Sequence, residues 1–391
     1  MTNHVLTKKV HRPTHEPLLP HILGAIGAFL RSNTVFCIAL AAAVITGVIV
    51  PPDAEYLSYF DFKTLTCLFS VLAVVCALRN IRFFTCLARG IVKRFSDLRS
   101  ASLALIVITF VGSMLIANDM ALLTFLPLGY LVLTETHMER HMAFVFIMQN
   151  IAANLGGMLT PFGNPQNLYL YSYFNIPTSE FTAIMAPPFA AAVVMILLSC
   201  LVLPREPLAL NYRDEIHLPA RRTAGYLVLF ALSIVIVFRL IPYWIGLIVI
   251  AVSRFFADRD ALKKVDYPLL GTFCAFFVFA GNMSRIPAVR ALFESLLGRD
   301  TMLVSALSCQ FISNVPSAIL LSRFTENYRE LLWGVNIGGA GTLIASLASL
   351  ITFREYAKHN PGKAGRYIAL FSLINVIFFA ALLLFCHIFC R

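Results

Sequence analysis

The side chains of this chain that could do chemistry are amides, hydroxyls and one carboxylate, set inside apolar sequence where a soluble enzyme would not place them. Asn154-Leu155-Gly156-Gly157-Met158-Leu159-Thr160 and Asn336-Ile337-Gly338-Gly339-Ala340-Gly341-Thr342 spell nearly the same phrase. Each is preceded by a second polar interruption, Ala117-Asn118-Asp119 and Ser313-Asn314-Val315-Pro316. Such groups support ion coordination. A backbone broken inside a bilayer frees carbonyls and amides, which must face protein or a water-filled cavity. Half-helix N-termini offer positive dipole ends and free N–H groups to an anion. Half-helix C-termini and unwound carbonyls suit a sodium ion.

In the first phrase, Gly156, Gly157, Pro161, Gly163 and Pro165 make an unbroken helix untenable, because proline lacks the N–H and clashes with the preceding turn. Asn154, Thr160, Asn164 and Asn167 supply side-chain ligands beside that break. In the second, Gly338, Gly339 and Gly341 mark the break and Thr342 supplies a hydroxyl. Ser313, Asn314 and Ser317 surround Pro316 and fit the tip of a hairpin, as Asn118 does in the first half. These amides and hydroxyls are the candidate substrate ligands. Asp119 is the carboxylate deep in an apolar segment of the first half. A charge at mid-membrane costs several kcal/mol unless hydrated, paired or neutralised, so Asp119, with Asn118 and Gly163, is the candidate site for a coupling H⁺ or Na⁺. Val315 takes the equivalent place in the second half, which points to one cation coupled through the first. No clustered base, nucleophile or metal set suggests an enzyme or a cofactor beyond the coupling ion. The motif cores hold no Trp or Tyr to stack a ring, so the expected substrate is compact.

Elements that could carry these sites are membrane helices. The 391 residues are 59% apolar and 13% charged, with a mean hydropathy of +0.79. Apolar runs recur from Val35 almost to the C-terminus, which defines an all-α polytopic membrane protein. The sequence divides into a cytoplasmic tail and interfacial segment, 1–34 (apolar around Leu18–Leu30), a first transmembrane half, 35–203, a cytoplasmic linker, 204–222, and a second half, 223–391. Similar runs open at Asp61-Phe62 and Asp266-Tyr267, so the repeat cores are 61–203 and 266–388. Corresponding positions are offset by 205 residues there, by 196 at Asn118 and Asn314, and by 182 at Asn154 and Asn336. Order is kept and only connections shrink.

The interrupted segments Ala101–Val132 and Met302–Phe324 read as re-entrant hairpins, and Met142–Tyr173 as a discontinuous helix. With the N-terminus inside and the hairpins entering from opposite sides, the inside pieces hold 23 of the 31 Lys and Arg residues. The positive-inside rule expects that bias. The expectation is therefore two inverted repeats with about ten or eleven crossings in the cytoplasmic (inner) membrane. The net charge of +11 comes from basic residues in loops between apolar runs, which excludes a nucleic-acid partner. The lipid bilayer and a small anion are the expected partners, and a homodimer is left open.

At these same residues the chain resembles the ion transporter superfamily, in particular permeases with the citrate-transporter-like domain. That group includes arsenite and sodium/proton permeases and the divalent-anion/sodium symporters. Residues 154–167, N-L-G-G-M-L-T-P-F-G-N-P-Q-N, look like the family's signature in its discontinuous helix, and 336–342 like its inverted copy. A-N-D-M-A and S-N-V-P-S resemble its two hairpin tips. The resemblance spans roughly 35–390. It implies that hairpin tips and helix breaks bind anion and sodium, a role falling on Asn118, Asp119, Asn164, Asn167, Ser313, Asn314 and Thr342, and that one subdomain moves against a fixed scaffold. The functional expectation is a secondary transporter moving a small inorganic oxyanion or short carboxylate, driven by H⁺ or Na⁺. A cation/proton antiporter or arsenite-type efflux permease is the alternative, and a channel or non-transport membrane protein the alternative of another class. Asp119 would repel an anion unless protonated or covered by a cation.

Overall fold

The structure, a computed structural model, describes residues 33–207 and 217–390. The expected interfacial piece before residue 33 and the middle of the linker, 208–216, lie outside the described residues. Helix α1 (Thr34–Ile49) comes first. Then follow α2 (Phe62–Asn80), α3 (Phe83–Val92), α4 (Leu98–Ile116), α5 (Asn118–Glu135), α6 (Met142–Gly156), α7 (Pro165–Tyr173) and α8 (Thr178–Cys200). Beyond the linker come α9 (Ala220–Val237), α10 (Tyr243–Ala257) and the short α11 (Arg259–Lys263). The chain closes with α12 (Tyr267–Ser284), α13 (Pro287–Arg299), α14 (Thr301–Ile312), α15 (Asn314–Leu321), α16 (Tyr328–Gly338), α17 (Leu347–His359) and α18 (Ala364–Phe389). The series α2–α8 is matched helix for helix by α12–α18.

The sequence starts corresponding helices with the same chemistry. Asp61 and Asp266 precede α2 and α12, and each accepts a hydrogen bond from the backbone N–H three residues on, at Thr64 and Leu269. Asp97 and Asp300 do the same for α4 and α14, through Ser100 and Leu303. A carboxylate at this position satisfies an otherwise orphaned N–H and complements the helix dipole.

Among the described residues, seven helices are long and apolar enough to cross a membrane: α2, α4, α6 with its flanking turns, α8, α9, α12 and α18. The expectation was ten or eleven crossings. The remaining expected crossings fall on shorter elements, α1 and α10, of 16 and 15 residues, and the pieces of broken helices. Helices α16 and α17 have 11 and 13 residues, about 16 and 20 Å of helix, against a hydrocarbon core of about 30 Å. They are the two pieces of a discontinuous helix. The other pair is α6 and α7, separated by a 3-10 turn at Gly157–Leu159 and the stretch to Asn164.

Helix α2 is buried continuously from Ser70 to Leu78. It is covered by α9 and α10, while α1 packs along α12. At that second seam Asn282 donates to the Thr46 hydroxyl at 3.2 Å. Polar contacts at the helix ends fall into two groups. In one, Arg285 meets Asp53 at 2.7 Å and the Tyr59 hydroxyl at 3.0 Å, Arg323 donates to the Tyr59 carbonyl, and Tyr328 donates to Glu180. In the other, Lys264 donates to Asn80 at 2.8 Å, Arg99 to the Leu203 carbonyl, and Arg140 pairs with Glu206. Tyr59 lies just before α2 and Arg285 just after α12. Asn80 ends α2 and Lys264 lies just before α12. The two corresponding helices therefore run in opposite directions.

Candidate functional site

The centre is built where helices stop. Helices α4 and α5 meet at Ala117, and α14 and α15 at Ser313. These two tip residues share an unusual backbone, φ 68°, ψ 150° and φ 75°, ψ 161°. Left-handed φ at a non-glycine residue is held only where the surroundings over-determine it. After each tip the asparagine turns its Oδ1 onto the next backbone N–H, 2.9 Å in both cases (Asn118 to Asp119, Asn314 to Val315). Each asparagine N–H then donates to a carbonyl in the broken helix of its own half, Asn118 to Gly163 at 3.1 Å and Asn314 to Ala345 at 2.9 Å. Each break is pinned back to its hairpin by a threonine: Thr160 donates to the Met114 carbonyl at 2.7 Å and Thr342 to the Gln310 carbonyl at 3.1 Å. The hydroxyls of Thr160 and Thr342 are engaged in these struts. The Ser317 hydroxyl likewise lies 2.9 Å from that of Ser308, closing the second hairpin on itself.

The halves are then tied to each other by asparagines. Asn154, at the end of α6, accepts from Asn118 at 3.0 Å and from Ser346, in the other half, at 2.8 Å. Its counterpart Asn336, at the end of α16, accepts from Asn164 and from Gln166 at 3.3 Å each and donates to Asn167 at 2.6 Å. Asn167 in turn donates to the carbonyls of Gly157 and Met158, freed where α6 unwinds. A Cβ on Gly339 would lie 3.1 Å from Asn314 Nδ2 and 3.8 Å from Asn154 Oδ1, so the second hairpin tip and the first break face each other across that glycine. One hydrogen-bond network thus joins both tips and both breaks. The N-termini of α5, α7, α15 and α17 converge on it, each carrying roughly half a positive charge.

Of the residues singled out in sequence, Asn118, Asn154, Asn164, Asn167, Gly163, Ser313 and Asn314 are brought together here. Gly156 and Gly338 lie at the ends of α6 and α16, where helix α4 or α14 crosses close by. Gly157 packs against Asn164 and Gly163, Pro165 opens α7 in the position where its missing N–H costs nothing, and Pro161 and Gly341 lie in the unwound stretches. Asp119 occupies the first turn of α5, half-buried, and its Oδ1 is buried without a partner. Three side chains of the network also carry orphaned atoms: Asn154 Nδ2, Asn164 Oδ1 and Gln166 Oε1. Among the described residues, none of the motif residues of the second half has such an atom.

Sequence reasoning passed over Gln166, Ser346 and Asn336 as ligands. The 182-residue offset that relates Asn154 to Asn336 also relates Asn164 to Ser346, and applying it would have found the serine. Gln149 and Asn150, one turn before Asn154, were also missed. Gln149 donates to Thr109, and Asn150 donates to Ser349 of α17 at 3.3 Å. Among the described residues no group of three His, Cys, Asp or Glu side chains is placed to hold a metal ion.

Broken helices whose ends meet in a polar centre inside an apolar helical body define a polytopic membrane transporter. The chain belongs to the citrate transporter (CitMHS) family, whose model, described as "Citrate transporter", matches residues 22–328. It is 30% identical over 338 residues to the "Uncharacterized transporter MJ0456" of Methanocaldococcus jannaschii, covering 86% of this chain and 92% of that one. It is also 30% identical over 305 residues to inner membrane protein YbiR of Escherichia coli, covering 75% and 80%. A 46 kDa membrane protein of Mycobacterium leprae is 24% identical over 384 residues, covering 84% and 86%. The family places this chain among membrane proteins that move a solute across the bilayer.

Proposed function

We propose that the protein is a secondary active transporter of a small anion, an inorganic oxyanion or short carboxylate, driven by H⁺ or Na⁺ bound at Asp119. The observation that carries this reading is the shared network of hairpin tips and helix breaks, with its orphaned acceptors confined to the first half. Four helix N-termini favour an anion at the centre. Asp119 Oδ1, Asn164 Oδ1 and Gln166 Oε1 are acceptors with nothing to accept, which favours a cation next to it. A bound cation or proton removes the repulsion between Asp119 and the anion, so the two bind together and transport is coupled. The family's description speaks for the carboxylate end of this substrate range. The same acceptors favour, as a second reading, cation/proton antiport centred on Asp119.

The halves 35–203 and 223–391 act in this proposal as inverted repeats, with the α4–α5 and α14–α15 pairs as re-entrant hairpins from opposite sides. The opposed directions of α2 and α12 support that arrangement. The excess of Lys and Arg on the face where α2 ends supports a cytoplasmic N-terminus. The name of the Escherichia coli relative supports the inner membrane.

Uptake into proteoliposomes under separate pH and Na⁺ gradients tests the reading. Sulfate, phosphate, arsenite and citrate serve as substrates, and wild type is compared with Asp119→Asn. The expected outcome is uptake of one anion class that follows one of the two gradients, and a variant that folds but no longer responds to it. Unchanged gradient dependence in Asp119→Asn would remove Asp119 from coupling. Cation exchange with no anion uptake would replace symport by antiport.

A further inference from the structure

A second polar site lies away from the centre, at the membrane face where α2 ends. There the end of α2, the start of α9 and the α10–α11 junction enclose a cavity of about 570 Å³. Four basic side chains line it, Arg222, Arg259, Lys263 and Lys264, from two separate stretches of chain. Its two acids are already committed. Asp258 accepts from the Tyr226 hydroxyl at 2.9 Å and caps α11 through the Ala261 N–H at 3.0 Å, and Asp260 accepts from Lys263 at 3.2 Å. Lys264 is held toward the cavity by Asn80, 2.8 Å from its ammonium. Four basic side chains against two acids leave the lining with a formal balance of +2.

Helix α9 adds a second indication. Its first turn carries Arg221 and Arg222, has no acidic residue, and its N-cap, Pro219, makes no side-chain cap. Cations at a helix N-terminus oppose the dipole, and anions there are favoured. A sequence that puts two arginines on an uncapped N-terminus suits an anion seated against it. On the membrane side of the same helices, Val228 of α9 and Phe255 of α10 are 68% and 49% exposed. The Arg259 guanidinium lies 4.4 Å over the Phe255 ring, at the border of the polar and apolar surfaces.

We propose that this cavity binds the phosphate of an anionic phospholipid, its acyl chains lying along the exposed apolar faces of α9 and α10. Basic pockets between membrane helices recognise such headgroups. The lipid would join the end of α2 to the α9–α11 segment that covers it. This inference stands independently of the transported solute.

The test is native mass spectrometry of the full-length detergent-purified protein with dioleoyl phosphatidylglycerol, cardiolipin or dioleoyl phosphatidylcholine. Wild type is compared with the triple variant Arg222→Gln, Arg259→Gln, Lys263→Gln. A control variant with equal charge loss elsewhere on the same face carries Lys93→Gln, Arg94→Gln and Lys358→Gln. Each basic residue near an anionic headgroup contributes about five-fold in affinity, so the triple variant should lose roughly a hundred-fold. The expected result is retained anionic lipid in wild type and control, lost in the triple variant, with no retention of phosphatidylcholine. Equal loss in the control would mean diffuse surface attraction and overturn the proposal, as would unchanged retention in the triple variant. Displacement of the lipid by millimolar inorganic phosphate would assign the site to free phosphate instead. Thermal stability of wild type supplies a readout independent of the variants' folding. It should rise with phosphatidylglycerol and not with phosphatidylcholine or inorganic phosphate, and equal effects of all three would also overturn the proposal.

Discussion

Replacing Asn336 by alanine tests whether the joint between the halves is as tight as its geometry indicates. The side chain is 1% exposed. It takes part in four hydrogen bonds: it accepts from Asn164 and Gln166, and donates to Asn167 and to the Leu332 carbonyl at 2.8 Å. Side-chain hydrogen bonds inside membrane proteins are worth about 0.6 kcal/mol on average and up to about 1.7, so the four together amount to roughly 2–3 kcal/mol. Gln166 Nε2 and Asn167 Oδ1 would also lose their partner inside the protein, and an unpartnered buried polar group costs about 1–3 kcal/mol. Partial relaxation offsets some of that. The expected loss is about 3–5 kcal/mol, measured by reversible unfolding in mixed micelles. Ser346→Ala, which removes the bond to Asn154 and the N-cap bond from the Ala348 N–H, should cost about 1–2 kcal/mol. A double-mutant cycle of Asn336→Ala with Asn167→Ala isolates the 2.6 Å bond, and it should couple by about 1–2 kcal/mol. A loss below about 1 kcal/mol for Asn336→Ala, together with additive behaviour in the cycle, would refute the reasoning that these amides clamp the halves.

Gly156→Ala should destabilise by about 2–3 kcal/mol in the same unfolding assay, because its Cβ would meet the Phe110 carbonyl oxygen at 2.4 Å. Gly225→Ala, with nothing within 4 Å of the new Cβ, should be neutral or stabilising by up to about 1 kcal/mol. At the opposite face from Asn80, the hydrogen bond from Arg285 holds the Asp53 carboxyl below the usual carboxylate range. A depressed acid contributes stability that is complete above its unfolded pKa of about 3.9 and is lost as pH falls through the lower folded value. Wild type should therefore lose more thermal stability than Asp53→Asn on acidification below about pH 4, and equal loss would mean the pair contributes nothing. Single cysteines in an otherwise cysteine-free protein should label from opposite sides at Lys93 and Glu55, with Lys93 on the cytoplasmic side. Periplasmic labelling at Lys93 would invert the proposed orientation.

Much of the fold could be read from the chain because corresponding helices of the two halves open and break on the same residues. Asp61 and Asp266, or Asn154 and Asn336, announce equivalent helix starts and breaks even where the apolar runs between them carry no periodic signal. What could not be read was which groups meet. Hydropathy gives Ala101–Val132 as one interrupted segment, and nothing local says that Asn118 reaches Asn154. Where each helix stops could not be read either, because composition does not record it. Helices α16 and α17 have only 11 and 13 residues. Thr160 and Thr342 are named in sequence as ligands because a hydroxyl beside a break can bind an ion, and what their hydrogens donate to was not legible. Their bonds to the Met114 and Gln310 carbonyls depend on how a hairpin three residues from its tip packs against the break, which only the assembled fold decides.

The two halves keep one backbone and have diverged in side chains, and the divergence has a direction. Both tips hold the same strained φ, both asparagines make the same turn, and both threonines make the same strut. One residue past the tip the first half has Asp119 and the second Val315. At the start of the second piece of the broken helix the first half has Asn164 and Gln166, where the second has Ser346 and Ala348. These three substitutions remove polar capacity from the second half, although Ser313 and Ser317 add hydroxyls where the first half has Ala117 and Ala121, and the network's orphaned acceptors sit in the first. Ser346 keeps the one function that geometry demands, its bond across to Asn154. On the proposed reading, the second copy has become a joint and the first has kept the ion site. Such a protein would carry one monovalent cation for each cycle. A monoanion would then cross without net charge and a dianion with one negative charge, so membrane potential would act on the two substrates differently.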